Sequence, residues 1–331
     1  MRIKVVDVSN PFEDLPTVPD ADELLDKAYS RAARAGRAKM DVDAQYAMLD
    51  TAGHILTDNL EDIVRRWPDF DELHPFFRTL ADAIVGIHAL RSHLGSVNWA
   101  ARQIDTIVTE HRARFRGEPA VAKQERKQAF ARIASIIDEV AEALDALETA
   151  RRDLAKIPGI DPTEPTIVMA GYPNVGKSSF LNAVTRASGA IASYPFTTTK
   201  IDIGHLDHRH IRYQLIDTPG LLDRPDSERN PIERQSIAAL EYLADCVLMI
   251  LDASETCGYQ LEDQLALRDQ LLDRFSTVGI PVVTVCNKSD ISIDTEADYY
   301  MSVTEDDEVD TVLTACLDAI DYEPALPFES S

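Results

Sequence analysis

From about Asp20 to Ile157, apolar residues recur at helical spacing. The clearest segment is the last, where Phe130, Ile133, Ile137, Val140, Leu144 and Leu147 advance by threes and fours and line one face of a long helix. Phe76, Phe77, Leu80, Ala83, Ile84, Ile87 and Leu90 follow the same rule, as do Tyr46, Leu49, Ile55, Leu56, Leu60, Ile63 and Val64. One-faced helices bury their stripes against one another, so this half of the chain predicts an all-α helical bundle.

The period changes after Ile157-Pro158-Gly159, and Pro162 and Pro165 add two positions that cannot continue a helix. The expected boundary therefore lies at residue 160, with a helical bundle domain over 1–160, a second domain over 161–322 and a flexible tail over 323–331. In the second domain, short apolar runs (Ile167–Ala170, Ile211–Ile216, Val247–Leu251, Val282–Val285) alternate with helix-like stretches at 177–187, 233–244, 261–275 and 307–319. That alternation predicts an α/β domain with a mostly parallel sheet and helices on both faces.

The longest strictly apolar run, Cys246 to Leu251, is six residues, against the ~20 a membrane-spanning helix needs. Asp7, Asn10, Pro11, Glu13 and Asp14 precede any apolar stretch, so the start lacks the pattern of a secretory leader and a cytoplasmic protein without membrane contact is expected. Cysteines 246, 257, 286 and 316 stand in separate elements, which favours reduced, buried thiols over a zinc site. Fifty-seven acids against 33 Lys plus Arg give a net charge of −24. Residues 1–160 account for −5 and residues 161–331 for −19. A uniform field of that sign repels nucleic acid, and a solubility adaptation to a salt-rich cytoplasm explains it. One island departs from it: residues 91–132 hold nine basic and four acidic residues.

Gly171-Tyr172-Pro173-Asn174-Val175-Gly176-Lys177-Ser178 fits G-x-x-x-x-G-K-[ST], directly after an expected strand and opening an expected helix. The glycines let backbone N–H groups wrap a phosphate, Lys177 adds charge at the β- and γ-phosphates, and Ser178 offers a hydroxyl to Mg²⁺. Asn287-Lys288-Ser289-Asp290 follows a later strand of the same sheet. The Asp290 carboxylate can accept from both the ring N–H and the exocyclic amine of guanine, a donor pair that adenine lacks. Asp217-Thr218-Pro219-Gly220 follows the strand ending at Ile216, where Asp217 can hold Mg²⁺ through water and the Gly220 amide can face the γ-phosphate. Between these lies Tyr194-Pro195-Phe196-Thr197-Thr198-Thr199, where a threonine can complete the metal shell in the triphosphate state. Phosphoryl transfer from GTP to water is the expected reaction.

With these four motifs the chain resembles the Obg-type GTPases, and more closely the nucleolar GTP-binding protein family associated with maturation of the large ribosomal subunit. The closer likeness rests on Asp217-Thr218-Pro219-Gly220-Leu221-Leu222-Asp223-Arg224-Pro225, on Glu228-Arg229-Asn230-Pro231-Ile232-Glu233-Arg234-Gln235, and on Asp252-Ala253-Ser254-Glu255-Thr256-Cys257-Gly258-Tyr259. The resemblance implies nucleotide contacts from residues 171–179 (Ser179 included), 217–220 and 287–290, Mg²⁺ at Ser178 and Thr198, and catalytic roles for Lys177, Thr198 and Gly220. An additional threonine before Lys200 leaves Thr198 and Thr199 as alternatives. The guanine-supporting Ser-Ala loop of the family appears as Met301-Ser302-Val303-Thr304, which makes Ser302 its counterpart. Eukaryotic members carry a long C-terminal extension that has no counterpart in this sequence.

Where many GTPases place a water-orienting glutamine, the chain has Leu221, so slow intrinsic turnover is expected, with a partner or a monovalent cation supplying the missing group. Asn174 makes K⁺ the candidate, by likeness to cation-requiring P-N-x-G-K-S GTPases. The expected partners are GTP and GDP, the large ribosomal subunit precursor and its rRNA, with a monomer when free. Arg112, Arg114, Arg116, Lys123, Arg126 and Lys127 of the basic island are the RNA-contact candidates. A solvated helix face with ordinary i,i+4 pairs is the plainer reading of that island, and a regulatory switch binding a protein partner is the alternative function.

Overall fold

The computed structural model describes residues 10–115, 117–157, 159–185, 190–193, 200–217, 222 and 237–322. The chain divides into two compact units, one of Pro11–Leu73 with Val85–Ala155, the other holding Asn10, His74–Ile84 and the chain from Lys156 onward. In this division the segment His74–Ile84, from within the helical half, groups with the second unit.

The first unit contains α1 (Ala21–Arg37), α2 (Asp41–Arg66), α4 (Ile87–Ala113), α5 (Pro119–Glu139) and α6 (Ala141–Leu154). The Asp20 carboxylate caps α1 by accepting from the Glu23 amide at 2.8 Å, satisfying one of the donors a helix start leaves open. Helix α2 packs on α1, α4 and α5, and α4 packs on α5 and α6. Their facing sides carry Leu49, Leu56, Leu60, Ile104, Ile133 and Leu147, all fully buried. Each such side chain contributes roughly 1.5–3 kcal/mol by leaving water.

Two expected helices are interrupted. The stripe from Phe76 to Leu90 is shared between α3 (Pro75–Val85) and α4, separated by Gly86 at φ +74. The stripe from Phe130 to Leu147 is shared between α5 and α6, separated by Val140 at φ −103 and ψ 6. There the Val140 amide donates to the Ile137 carbonyl at 3.2 Å, a tightened turn that keeps Ile137, Val140 and Leu144 buried on one side.

The second unit is a seven-stranded sheet in the order β2-β3-β4-β1-β5-β6-β7. The strands are β1 (Thr166–Ala170), β2 (Ala190–Ser193), β3 (Lys200–His208), β4 (Ile211–Asp217), β5 (Cys246–Asp252), β6 (Val282–Asn287) and β7 (Tyr299–Tyr300). Strands β4, β1, β5, β6 and β7 pair in parallel, while β3 pairs antiparallel with both β4 and β2 and so runs against the other six. Every residue of β1 and β5 is buried, as expected of strands covered on both faces. The unit also contains α3, α7 (Lys177–Val184), α8 (Leu261–Val278) and α9 (Val309–Ala319). All four cysteines are buried and free. Among the described residues no helix is long and apolar enough to cross a membrane.

Candidate functional site

The parallel register brings four strand ends to one edge. Met169 pairs with Asp217 and with Leu248, and Asp252 pairs with Asn287. The loops leaving β1, β4, β5 and β6 therefore meet there, at the carboxyl edge where open α/β sheets bind ligands.

The loop from β1 to α7 is shaped by backbone conformations that most residues avoid. Gly171 has φ +133, Asn174 φ +63 and Gly176 φ +111. Inside it Lys177 is only 6% exposed, and its ammonium donates to the carbonyls of Gly171 at 2.6 Å and Tyr172 at 2.9 Å. A cavity of about 450 Å³ is lined by Pro173, Asn174, Gly176, Lys177, Ser178, Ser179 and Asp217. The loop and the first turn of α7 give this space positive character, which suits a phosphate chain.

Ser178 Oγ lies 2.5 Å from Asp217 Oδ2 at the floor of that cavity, and Asp217 is fully buried. A hydroxyl and a carboxylate are hard oxygen donors beside the phosphate space, the donor chemistry that Mg²⁺ takes. The residues present thus fit that ion.

The motif after β6 reaches across to the same loop. Asn287 Nδ2 donates to the Val175 carbonyl at 2.8 Å, and its Oδ1 accepts from the Val303 amide at 3.2 Å. One buried amide thereby ties the phosphate loop to the segment after β7. Asp290 is exposed, and its Oδ1 accepts from Ser302 Oγ at 2.6 Å, with Ser302 itself buried. A fixed serine thus aims an exposed carboxylate, as reading a donor pair on a purine requires. Lys288 Nζ donates to Asp252 Oδ2 at 2.6 Å and to Thr256 Oγ1 at 2.8 Å. Asp252 and Thr256 had no assigned role in the sequence reading, although both lie in the stretch from Asp252 to Tyr259 that carried part of the family likeness.

Thr198, Thr199, Gly220 and Leu221 lie outside the described residues, as does Arg116.

The other RNA-contact candidates are on the helical unit, and most are engaged within it. Arg112 pairs with Asp50 at 3.6 Å and lies over the Tyr46 ring, and Arg114 faces Glu125 at 3.9 Å. Arg126 donates to Gln45 at 2.8 Å and covers Phe130. Elsewhere in the island Arg91 pairs with Asp71 and Arg132 with Glu110. Lys123 and Lys127, one turn apart on α5, are exposed and form no ion pair among the described residues. Glu110 and Glu125 already count in the island's net charge, whereas Asp50 and Asp71 come from outside residues 91–132 and offset two further arginines.

Residues 12–161 match the NOG1 N-terminal helical domain family, and residues 166–288 match the 50S ribosome-binding GTPase family. The chain is 39% identical over 290 residues to nucleolar GTP-binding protein 1 of Drosophila melanogaster, covering 85% of this chain and 44% of that one. It is 33% identical over 320 residues to nucleolar GTP-binding protein 1 of Saccharomyces cerevisiae, covering 92% and 49%. An uncharacterized protein of Methanocaldococcus jannaschii is 35% identical over 294 residues, covering 86% and 82%. The chain spans about half the length of the eukaryotic relatives it matches.

Proposed function

Since the chain belongs to the nucleolar GTP-binding protein 1 family of Obg-type GTPases, we propose that it hydrolyses GTP with Mg²⁺ while acting on the large ribosomal subunit precursor. GTP binding follows from the GTPase domain. The observation that carries the finer reading is Asn287, which joins a phosphate loop holding a buried lysine to a base-reading loop where Ser302 aims Asp290.

Lys177 stands where a β- or γ-phosphate oxygen would enter the loop, and Ser178 with Asp217 would hold the metal beside it. Bound there, Mg²⁺ supplies positive charge to the phosphate oxygens as the terminal phosphoryl group leaves. Asp290 selects guanine, and Ser302 keeps its carboxylate oriented. Thr198 or Thr199 and the Gly220 amide complete the triphosphate-sensing part. Leu221 offers no polar atom to an attacking water, so intrinsic turnover is slow and K⁺ near Asn174, or a ribosomal activator, supplies the missing stabilisation.

The test of the nucleotide reading is a competition titration. The wild type should bind GTP and GDP and ignore ATP, while Asp290→Asn should turn toward xanthine nucleotides, whose 2-oxo group needs a donor. Equal affinity of the wild type for ATP and GTP would overturn it.

Ribosomal docking through the helical unit draws on the family and on the exposed Lys123 and Lys127. Internal pairing of Arg91, Arg112, Arg114 and Arg132 favours a second reading, a regulatory switch whose helical unit binds a protein. Sedimenting cell extract with GTP, GDP or a non-hydrolysable analogue separates the two. Nucleotide- and salt-dependent comigration with large-subunit particles supports the first, and a salt-insensitive protein complex the second.

A further inference from the structure

Strand β5 ends in Asp252, which is 0% exposed. Five donors converge on its carboxylate. Oδ1 takes the Ser254 amide at 3.0 Å and the Ser254 hydroxyl, while Oδ2 takes the Cys257 amide at 2.8 Å, Thr256 Oγ1 at 3.1 Å and Lys288 Nζ at 2.6 Å. Burial pushes this carboxyl up, but the bonds from Lys288, Ser254 and the Cys257 amide outweigh it and hold the group below its ordinary value. The carboxylate stays charged and can serve as a fixed anchor.

The segment that carries it is itself pinned on two sides. Gln264 of α8, fully buried, accepts from the Asp252 amide at 2.8 Å and donates to the carbonyls of Asp252 and Tyr259 at 3.1 Å each. The Tyr259 ring lies against Tyr172 of the phosphate loop, with centroids 4.6 Å apart. Residues 252–259 therefore abut the phosphate loop at one end and hold the lysine of the base-reading motif at the other.

Lysine is a long, rotamer-rich side chain, and fixing its amine before a ligand arrives removes an ordering cost from binding. We propose that Asp252 and Thr256 are positioning residues of the guanine nucleotide site, clamping the Lys288 ammonium so that its side chain forms a wall of the base pocket before nucleotide enters. This rests on the guanine-nucleotide reading of the site. A purely structural role would instead leave Asp252 as a staple for its own loop, since four of its five donors come from Ser254, Thr256 and Cys257.

A double-mutant cycle distinguishes these. The dissociation constant of N-methylanthraniloyl-GDP with Mg²⁺ is measured for the wild type, Thr256→Val, Lys288→Met and the double variant, with melting temperatures alongside. Thr256→Val removes one hydroxyl at nearly constant shape and should weaken binding about 3–10-fold, with Thr256→Ser restoring wild-type affinity. In the Lys288→Met background the Thr256 effect should vanish, and Asp252→Asn should show the same dependence on Lys288 with a larger loss. A full Thr256→Val loss that persists in Lys288→Met, or a folded Thr256→Val that binds as the wild type does, overturns the positioning role. If Lys288→Met abolishes binding, Thr256→Val against Thr256→Ser at equal melting temperature decides. A wild type that binds no guanine nucleotide overturns the underlying site reading itself.

Discussion

Gly176→Ala tests whether the phosphate loop and the base-reading loop are held as one unit. At φ +111, a Cβ on Gly176 would overlap the side-chain nitrogen of Asn287 and stand 3.3 Å from its Cγ. Asn287 is 3% exposed and committed to the Val175 carbonyl and the Val303 amide, so it cannot yield without losing both bonds. Two net hydrogen bonds are worth about 2 kcal/mol, and a left-handed alanine adds about 1–2 kcal/mol. Where that loss falls on the liganded form, nucleotide affinity drops by a factor of about 100–1,000. Gly95→Ala is the matched control, since Gly95 lies exposed within α4 and an added Cβ would meet nothing within 4 Å. It should leave binding unchanged and raise stability by about 0.5–1 kcal/mol. Equilibrium titration with N-methylanthraniloyl-GDP and thermal melts read both. A Gly176→Ala variant that binds within threefold of the wild type would refute the argument.

Asn174 sits at φ +63, so a test of its carbonyl as a K⁺ ligand needs Asn174→Gly, which keeps that backbone, rather than alanine, which strains it. GTP turnover at matched ionic strength should be faster in KCl than in NaCl for the wild type and lose that difference in the glycine variant; equal wild-type rates remove K⁺ from the mechanism. Glu148, bonded by Arg151 and the Val18 amide, has its carboxyl held down at about 2 against an ordinary 4.5. Its depressed value contributes stability that is fully present above pH 4.5 and lost as pH falls through about 2, up to about 3 kcal/mol, so urea unfolding of the wild type and Glu148→Gln should differ at pH 7 and converge only at about pH 2 and below, and a gap independent of pH would refute this. Reversing Lys123 and Lys127 to Glu should weaken sedimentation with large-subunit particles and flatten its salt dependence while leaving GDP affinity unchanged; unaltered sedimentation would mark α5 as a solvated face.

The stripes in the first half identify helices reliably because burying one face is a periodic demand that each residue answers locally. Where a helix stops is another matter. Gly86 interrupts a stripe that reads straight through it, since a single glycine also fits a continuous helix at modest cost. Val140 gives no signal at all: it is apolar, on the right face, and followed by a good helix former, so the break is visible only in its dihedral angles. Strand β3 is not legible in the sequence for a related reason. It joins β4 through Arg209-His210, both at positive φ, with His208 paired to Ile211. A two-residue turn of that kind ordinarily announces itself as Asn-Gly or Asp-Gly, and neither Arg nor His favours the conformation. Tertiary pairing along the length of β3 overrides what the turn residues prefer.

At the site, the residues legible in the sequence are those whose identity is forced by their immediate task. Glycines at 171 and 176 and an asparagine at 174 occupy backbone conformations that few other residues tolerate, and the proposed phosphate and metal roles fall to the lysine and serine directly after them. Such demands are met within a few residues, so they appear as a motif. The Asp252–Lys288 bond spans 36 residues and exists only because β5 and β6 are adjacent, parallel and in a register that sets Asp252 beside Asn287. A trace of it was present all the same. Both strands end in a polar residue after a mainly apolar run, Cys246–Leu251 before Asp252 and Val282–Cys286, apolar but for Thr284, before Asn287. Aligning those two ends, as a shared carboxyl edge requires, brings an otherwise unexplained buried acid next to the lysine that follows Asn287. The basic island fails in the opposite direction. Its net charge is plain, but Asp50 and Asp71, from outside the island, meet Arg112 and Arg91 only through folding of the helical unit, so the charge left to a partner depends on the fold.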